Sequence, residues 1–96
     1  MPAYLIAEVE VTDPAAYEGY KKLTPAAIAA YGGKFIVRGG EVESKEGGWK
    51  PSRLVVVEFS SMAQARKFYD SPEYAPALAI RKGASNSRLV LADGVA

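Results

Sequence analysis

One carboxylate interrupts the most apolar segment of the chain. Glu58 follows residues 54–57 and precedes Phe59, in a segment whose β-branched residues predict a central strand. A carboxylate removed from water without a partner costs several kcal/mol, so Glu58 must be paired, neutral or near the end of the strand. Two interpretations stay open: a general base that moves a proton on a substrate, or a structural ion pair or solvated strand end.

Arg38 is the cationic counterpart of Glu58. Its guanidinium can hold a carboxylate through two parallel hydrogen bonds, and the two glycines that follow it let other groups approach the backbone closely. Arg38 is therefore predicted to anchor an anionic oxygen of a substrate. The alternatives are an ion pair across the sheet with Glu58, Glu8 or Glu10, or an exposed charge beyond a bulge.

Aromatic side chains and a second arginine complete the candidate site. Tyrosines on helices that pack against a sheet usually belong to the core, with the hydroxyl at its boundary. Together with arginines, they also have the composition of a small-molecule pocket, apolar with a few polar groups. Trp49, on a glycine-flanked hairpin, better suits an interface between subunits. The predicted substrate-binding residues are Tyr17, Tyr20, Trp49, Tyr69, Tyr74 and Arg81.

The composition excludes several kinds of chemistry. The chain has no cysteine and no histidine, which removes thiolate nucleophiles, disulfides, iron–sulfur clusters and the commonest general base and metal ligand. We therefore predict no metal and no cofactor. A net charge of +1 offers no basic surface for nucleic acid. The apolar runs are too short to span a membrane and no signal peptide is visible, so a cytoplasmic protein is expected.

The positions of turn residues and apolar periods predict the order strand, helix, strand, strand, helix, strand. The predicted strands are residues 3–11, 34–38, 53–59 and 87–92, and residues 41–44 can extend the second. A helix that begins at Pro14 is expected to kink or restart at Pro25, and the second helical region divides into 62–70 and 72–82. This order predicts one domain over residues 1–96, a ferredoxin-like α+β fold. Its four-stranded antiparallel sheet has the order 4-1-3-2, with both helices on one face.

The predicted strands are apolar on both faces. Leu54 and Val56 point to one side of the sheet, while Val55 and Val57 point to the other. A sheet with one face in water alternates apolar and polar residues, and these strands do not. Because the helices cover only one face, the second is expected to pack on the sheet of an identical chain. The sequence therefore predicts a homodimer, a dimeric α+β barrel.

Short motifs that resemble a known family run along nearly the whole chain. They are Asp13-Pro14, Tyr17, Tyr20, Gly32-Gly33-Lys34, Val37-Arg38-Gly39-Gly40, Glu46-Gly47, Trp49, Arg53, Val55-Val56-Val57-Glu58-Phe59, Ala65, Tyr69, Ser71-Pro72-Glu73-Tyr74 and Arg81. With them the chain resembles the family called domain of unknown function 1330, which has no settled activity. The resemblance implies a dimeric α+β barrel related to cofactor-free monooxygenases, muconolactone-isomerase-like proteins and haem-binding barrels, with ligands between helices and sheet. The missing histidine opposes a histidine-ligated haem.

Three functions follow from these observations. The preferred one is a cofactor-independent enzyme, oxygenase- or isomerase-like, acting on a small anionic or enolisable organic molecule. In it Arg38 anchors the anion, Glu58 moves a proton, and Tyr69 and Tyr74 orient the substrate. The second is a non-catalytic protein that holds a ligand in the same pocket, since no nucleophile–base pair is visible. The third is a purely structural dimer in which Arg38 and Glu58 form a fold-specifying pair.

Overall fold

The fold is a four-stranded antiparallel sheet with helices on one face, as the sequence predicts. The computed structural model describes residues 1–95. Its elements are β1 (Ala3–Val11), α1 (Pro14–Ala30), β2 (Lys34–Arg38), β3 (Arg53–Phe59), α2 (Met62–Tyr69), α3 (Ala75–Ala84) and β4 (Ser85–Asp93). The sheet order is β2-β3-β1-β4, which is the predicted order counted from the opposite edge. This topology defines a ferredoxin-like α+β unit.

The helices begin where the sequence places capping residues. The Asp13 carboxylate accepts a hydrogen bond from the Ala16 backbone N–H at 3.2 Å, and Pro14 supplies the first helical turn. At the start of α2, the Ser61 hydroxyl accepts from the Gln64 N–H at 3.1 Å. α1 continues through Pro25 without restarting. α1 is therefore one continuous helix of 17 residues.

Two strand predictions need correction. Residues 41–44 do not extend β2, which ends at Arg38. β4 begins at Ser85, two residues earlier than predicted, and pairs with β1 along its whole length. The pairing of β2 with β3 also contains a bulge between Phe35 and Val37. This bulge decides which way the end of β2 faces, and it matters for the site.

The core lies between the helices and one face of the sheet. On β1, Leu5 and Val9 are buried there, together with Phe59 at the end of β3. Phe68 of α2 lies at the centre of an aromatic cluster, with its ring centroid 5.2 Å from that of Phe59 and 4.5 Å from that of Tyr74. We call this covered side of the sheet the helix face. Its burial supplies the main apolar stabilisation of the domain.

The opposite side of the sheet, here called the open face, carries no helix. Ile6 and Val56 lie opposite each other there, and Ile6 also lies opposite Val90. Val90 is 58% exposed, and so is Trp49, whose indole Nε1 donates to the Glu8 carboxylate at 2.5 Å. Exposed apolar patches of this kind are typical of interaction surfaces. Within residues 1–95, no helix has both the length and the apolar character needed to cross a membrane.

Candidate functional site

A narrow cavity lies between α1 and the helix face. Side chains of β1 and β3 form its floor and side chains of α1 form its roof. The centre of a water-sized sphere can move through only about 20 Å³ inside it, and the space between the atoms is about 450 Å³ when the open mouth is counted. The floor and roof are mostly apolar, and they include Leu5, Ala7, Val55, Val57 and Ile28. We call this space the α1 cavity. Its position between a helix and a sheet, apolar with a few polar groups, is typical of small-molecule sites.

Three cationic side chains surround the α1 cavity near its mouth. They come from three elements: Lys21 from α1, Arg38 from β2 and Arg53 from β3. Arg38 is exposed and its guanidinium lies 4.3 Å from the centroid of the Phe35 ring. Lys21 contacts Glu18 at 3.0 Å, on the outer surface of α1. No carboxylate is among the described residues that line the cavity, so its charged side chains are all cationic.

Arg53 is the most deeply placed of the three cations. Its Nε is buried and has no hydrogen-bond partner within residues 1–95. Its guanidinium lies 5.7 Å from the centroid of the Tyr17 ring, which provides a cation–π contact but no acceptor oxygen. A buried donor without an acceptor is costly and rare in folded proteins. The arrangement therefore suits an anion that would accept from Arg53.

Gly39 makes room for the Arg53 side chain. Its backbone has φ +72°, a conformation that favours glycine, and its N–H donates to the Leu54 carbonyl at 2.9 Å. A Cβ at this position would stand 2.8 Å from the Arg53 Cζ. Gly39 therefore combines the turn after β2 with space for the guanidinium.

A hydrogen-bonded network closes the inner end of the cavity. The Tyr20 and Tyr74 hydroxyls lie 3.0 Å apart, and Arg81 donates from Nε to the Tyr74 oxygen at 3.4 Å. Arg81 is only 4% exposed and also donates to the Ser87 hydroxyl. Within the described chain, no carboxylate pairs with Arg81. Burial, with the neighbouring Tyr74 hydroxyl, raises the pKa of Tyr20, so this phenol stays protonated.

The structure separates Glu58 from Arg38. Glu58 lies on the open face, where it accepts a hydrogen bond from the Tyr4 hydroxyl at 3.2 Å. Arg38 lies opposite Val55, on the helix face. In a regular strand Arg38 would face the same side as Glu58, but the bulge after Phe35 turns it to the other. Within residues 1–95, Arg38 and Glu58 therefore lie on opposite faces of the sheet and do not form the ion pair that was one alternative for Arg38. Their roles on a substrate stay predictions.

The remaining predicted site residues fall into two groups. Tyr20 and Tyr74 line the α1 cavity, and Arg81 supports them from behind. The others do not line it. Tyr17 is buried beside Tyr20, with ring centroids 5.1 Å apart; Tyr69 packs on Tyr74 at 5.9 Å; and Trp49 lies at the open face.

Sequence reasoning missed two of the cationic side chains. Arg53 is not among the predicted site residues, although it alternates with Val55 and Val57 and so must point to the helix face. That periodicity was the available signal. Lys21 directly follows Tyr20 on α1, but its position at the cavity depends on how the helix lies over the sheet. No pattern in the sequence specifies that placement.

The fold and the cavity together define a ferredoxin-like α+β protein with a candidate ligand site between its helices and sheet. The chain belongs to the family described as domain of unknown function DUF1330, whose model matches residues 2–95. This confirms the resemblance found in the sequence. No curated protein matches the chain.

Solved structures of similar proteins share this fold at low sequence identity. A protein of unknown function from Rhodopseudomonas palustris is 18% identical, with a TM-score of 0.76 over 99% of this chain and 83% of that one. SnoaB from Streptomyces nogalater, a cofactor-independent oxygenase, is 18% identical, with a TM-score of 0.70 over 99% and 94%. A dimeric protein of unknown function from Bacteroides fragilis is 14% identical, with a TM-score of 0.64 over 97% and 96%. These similarities establish the fold.

Proposed function

We propose that the protein binds a small organic anion, or an enolisable molecule in its anionic form, in the α1 cavity. The observation that carries this proposal is the buried, unpartnered Nε of Arg53 in a cavity whose charged side chains are all cationic. A bound oxyanion would satisfy that donor and be attracted by Arg38 and Lys21 as well. The apolar floor would hold the body of the molecule.

The chemistry that fits this arrangement is stabilisation of an enolate or phenolate. Fixed cations in an apolar cavity favour a developing negative charge far more than they would in water. We propose a cofactor-independent, oxygenase-like enzyme that uses Arg38 and Arg53 in this way, and the shared fold with SnoaB supports it. An isomerase must also take and return a proton, and no described cavity residue is a carboxylate. Glu58 lies on the open face, so in this proposal it does not act on the ligand.

Non-catalytic binding is the second candidate. It is favoured by the lining of the cavity, in which the described residues provide no nucleophile paired with a base. The purely structural alternative depended on an Arg38–Glu58 pair and loses that support. A cytoplasmic location, expected from the composition, stays a prediction.

The binding proposal can be tested with 4-nitrophenol, whose ionisation is visible by its absorbance. The cations should bind the phenolate and lower the apparent pKa of the probe in the presence of the protein. Arg53→Gln should weaken phenolate binding by about tenfold or more, the value of a hydrogen bond from a charged donor. Arg88→Gln is the matched control, because Arg88 pairs with Glu8 on the open face. Equal effects of the two substitutions would refute the assignment of the site.

Catalysis requires a separate measurement. The protein should be incubated with enolisable aromatic ketones and 1,3-diketones, with dissolved oxygen followed by an electrode and products by mass spectrometry. Oxygen uptake that depends on Arg53 would support an oxygenase. Binding without turnover across the series would favour the non-catalytic candidate.

We also propose that the open face joins two identical chains. Ile6, Val56 and Val90 leave an apolar surface on the single chain, and the similar Bacteroides fragilis protein is dimeric. Native mass spectrometry should give a dimer, and Val56→Asp should give a monomer because a charge would be buried at the interface. Ala63→Asp, at an exposed position on α2, is the control and should remain dimeric. A monomeric wild-type protein would contradict this proposal.

A further inference from the structure

The inner end of the α1 cavity indicates a second feature of the ligand. We propose that the ligand carries, besides the anionic oxygen held by Arg53, a second oxygen that accepts a hydrogen bond from the Tyr20–Tyr74 pair. This inference rests on the proposed function, since it concerns the same cavity. It specifies a substrate class: compact molecules with an enol or phenol oxygen and a separate carbonyl oxygen.

The Tyr20–Tyr74–Arg81 network contains one more hydroxyl hydrogen than its own hydrogen bonds use. A guanidinium can only donate, so the Tyr74 oxygen accepts from Arg81 Nε. The two phenols carry two hydroxyl hydrogens, and the Tyr20–Tyr74 hydrogen bond uses one of them. Whichever phenol donates in that bond, the other phenol keeps its own hydroxyl hydrogen free. Within residues 1–95, neither hydroxyl donates to any further acceptor.

The remaining hydrogen belongs to a group that cannot easily reach water. Tyr74 is 1% exposed and Tyr20 is half-buried, and both line the cavity. A buried donor needs an acceptor. Of the other cavity-lining side chains, Phe68 and Ile28 have none, and the Thr24 hydroxyl donates to the Tyr20 carbonyl and accepts from neither phenol. An oxygen of the ligand is the acceptor that this position would accommodate.

Arg81 makes this donor permanent. Arg81 keeps its charge and donates to the Tyr74 oxygen. The two phenols therefore cannot rearrange so that they act only as hydrogen-bond acceptors toward the cavity. Burial also raises the pKa of Tyr20, which keeps its proton on the ring oxygen at neutral pH. Arg81 is therefore a positioning residue. The cavity presents two separate donors, the Arg53 guanidinium and a phenol, among mostly apolar side chains.

Two probes of similar size test this inference. 4-Hydroxyacetophenone has a carbonyl opposite its phenol, whereas 4-ethylphenol has none. The ratio of their dissociation constants is measured for the wild-type protein and for the double variant Tyr20→Phe/Tyr74→Phe, which removes both hydroxyls and keeps both rings. The residues near the mouth are the same in both proteins. The difference in acidity between the two probes therefore affects both ratios equally, and it cancels when the ratios are compared. Tyr69→Phe is the control, since Tyr69 packs on Tyr74 but does not line the cavity.

The preference for the ketone over 4-ethylphenol should be about two- to tenfold larger in the wild-type protein than in the double variant. This factor corresponds to one neutral hydrogen bond. The carbonyl stretch of the bound ketone should also shift to lower frequency in the wild type and in Tyr69→Phe, but not in the double variant. If the double variant does not fold, the single Tyr20→Phe and Tyr74→Phe proteins replace it, and each should change that shift. An unchanged ratio and an unchanged carbonyl band would overturn the inference while the proposed function stands. Failure of both probes to bind the wild type would overturn the proposed function itself.

Discussion

Replacing Gly39 with alanine tests whether the position of Arg53 controls ligand binding. Gly39 has φ +72°, and a Cβ there would stand 2.8 Å from the Arg53 Cζ, well inside van der Waals contact. The atoms it meets belong to the far end of a flexible side chain, so the guanidinium can move away. Gly39→Ala should therefore fold, with Arg53 displaced from the cavity.

Two separate effects determine the expected magnitudes. An alanine in the left-handed region costs about 1–2 kcal/mol, and the reduced freedom of the unfolded chain offsets about 0.4–1 kcal/mol of it. The net loss of about 1 kcal/mol corresponds to a melting temperature lower by about 4–8 °C for a domain of this size. Displacement of Arg53 removes a charged hydrogen bond worth about 1.5–3 kcal/mol. Binding of 4-nitrophenolate should weaken by about tenfold to a hundredfold.

Alanine substitutions at two other glycines separate the backbone effect on stability from the effect on Arg53. Gly47→Ala has the same backbone strain, at φ +76°, but its Cβ would meet nothing within 4 Å, so it should lower the melting temperature without weakening phenolate binding. Gly40→Ala adds a methyl group in open space without a positive φ, and both properties should stay near wild type. Absorbance titration and thermal denaturation by circular dichroism provide the two readouts. Phenolate binding by Gly39→Ala that equals that of Gly47→Ala would refute the role given to Arg53.

Two further predictions concern stability. Phe68→Ala should lower the free energy of unfolding by about 3–5 kcal/mol, because Phe68 is 1% exposed within an aromatic cluster; a urea denaturation curve within 1 kcal/mol of wild type would contradict this. The second follows from Tyr20, whose pKa burial raises above its ordinary value of 10.0. Above about pH 10 the unfolded chain loses this proton and the folded protein keeps it, so the unfolded state binds fewer protons and stability falls as pH rises. Thermal denaturation between neutral pH and pH 11 should show a smaller alkaline loss for Tyr20→Phe than for the wild type, and equal losses would contradict the buried position of this phenol.

The fold was predictable because its signals are local. The caps at Asp13 and Ser61 mark where helices begin, and the two-residue period of β1 and β3 is visible in their branched apolar residues. Given that order of elements, the right-handed crossover rule leaves few topologies, and the observed sheet order is the expected one. The same period also placed apolar residues on a second face of the sheet. The apolar character of that face depends on the strand period alone and not on tertiary contacts.

The candidate site was less predictable, because it depends on register and on the packing of α1. One extra residue in β2 places Arg38 on the helix face, away from Glu58. No residue type in 34–38 predicts this bulge. The Tyr20–Tyr74 contact joins residues 54 apart in sequence, and it forms only when α1 and the start of α3 pack side by side. The sequence by itself determined the elements, their order and the chemical types available. Only the tertiary structure decided which of those groups share a cavity, since a one-residue shift in a strand reverses every side chain beyond it.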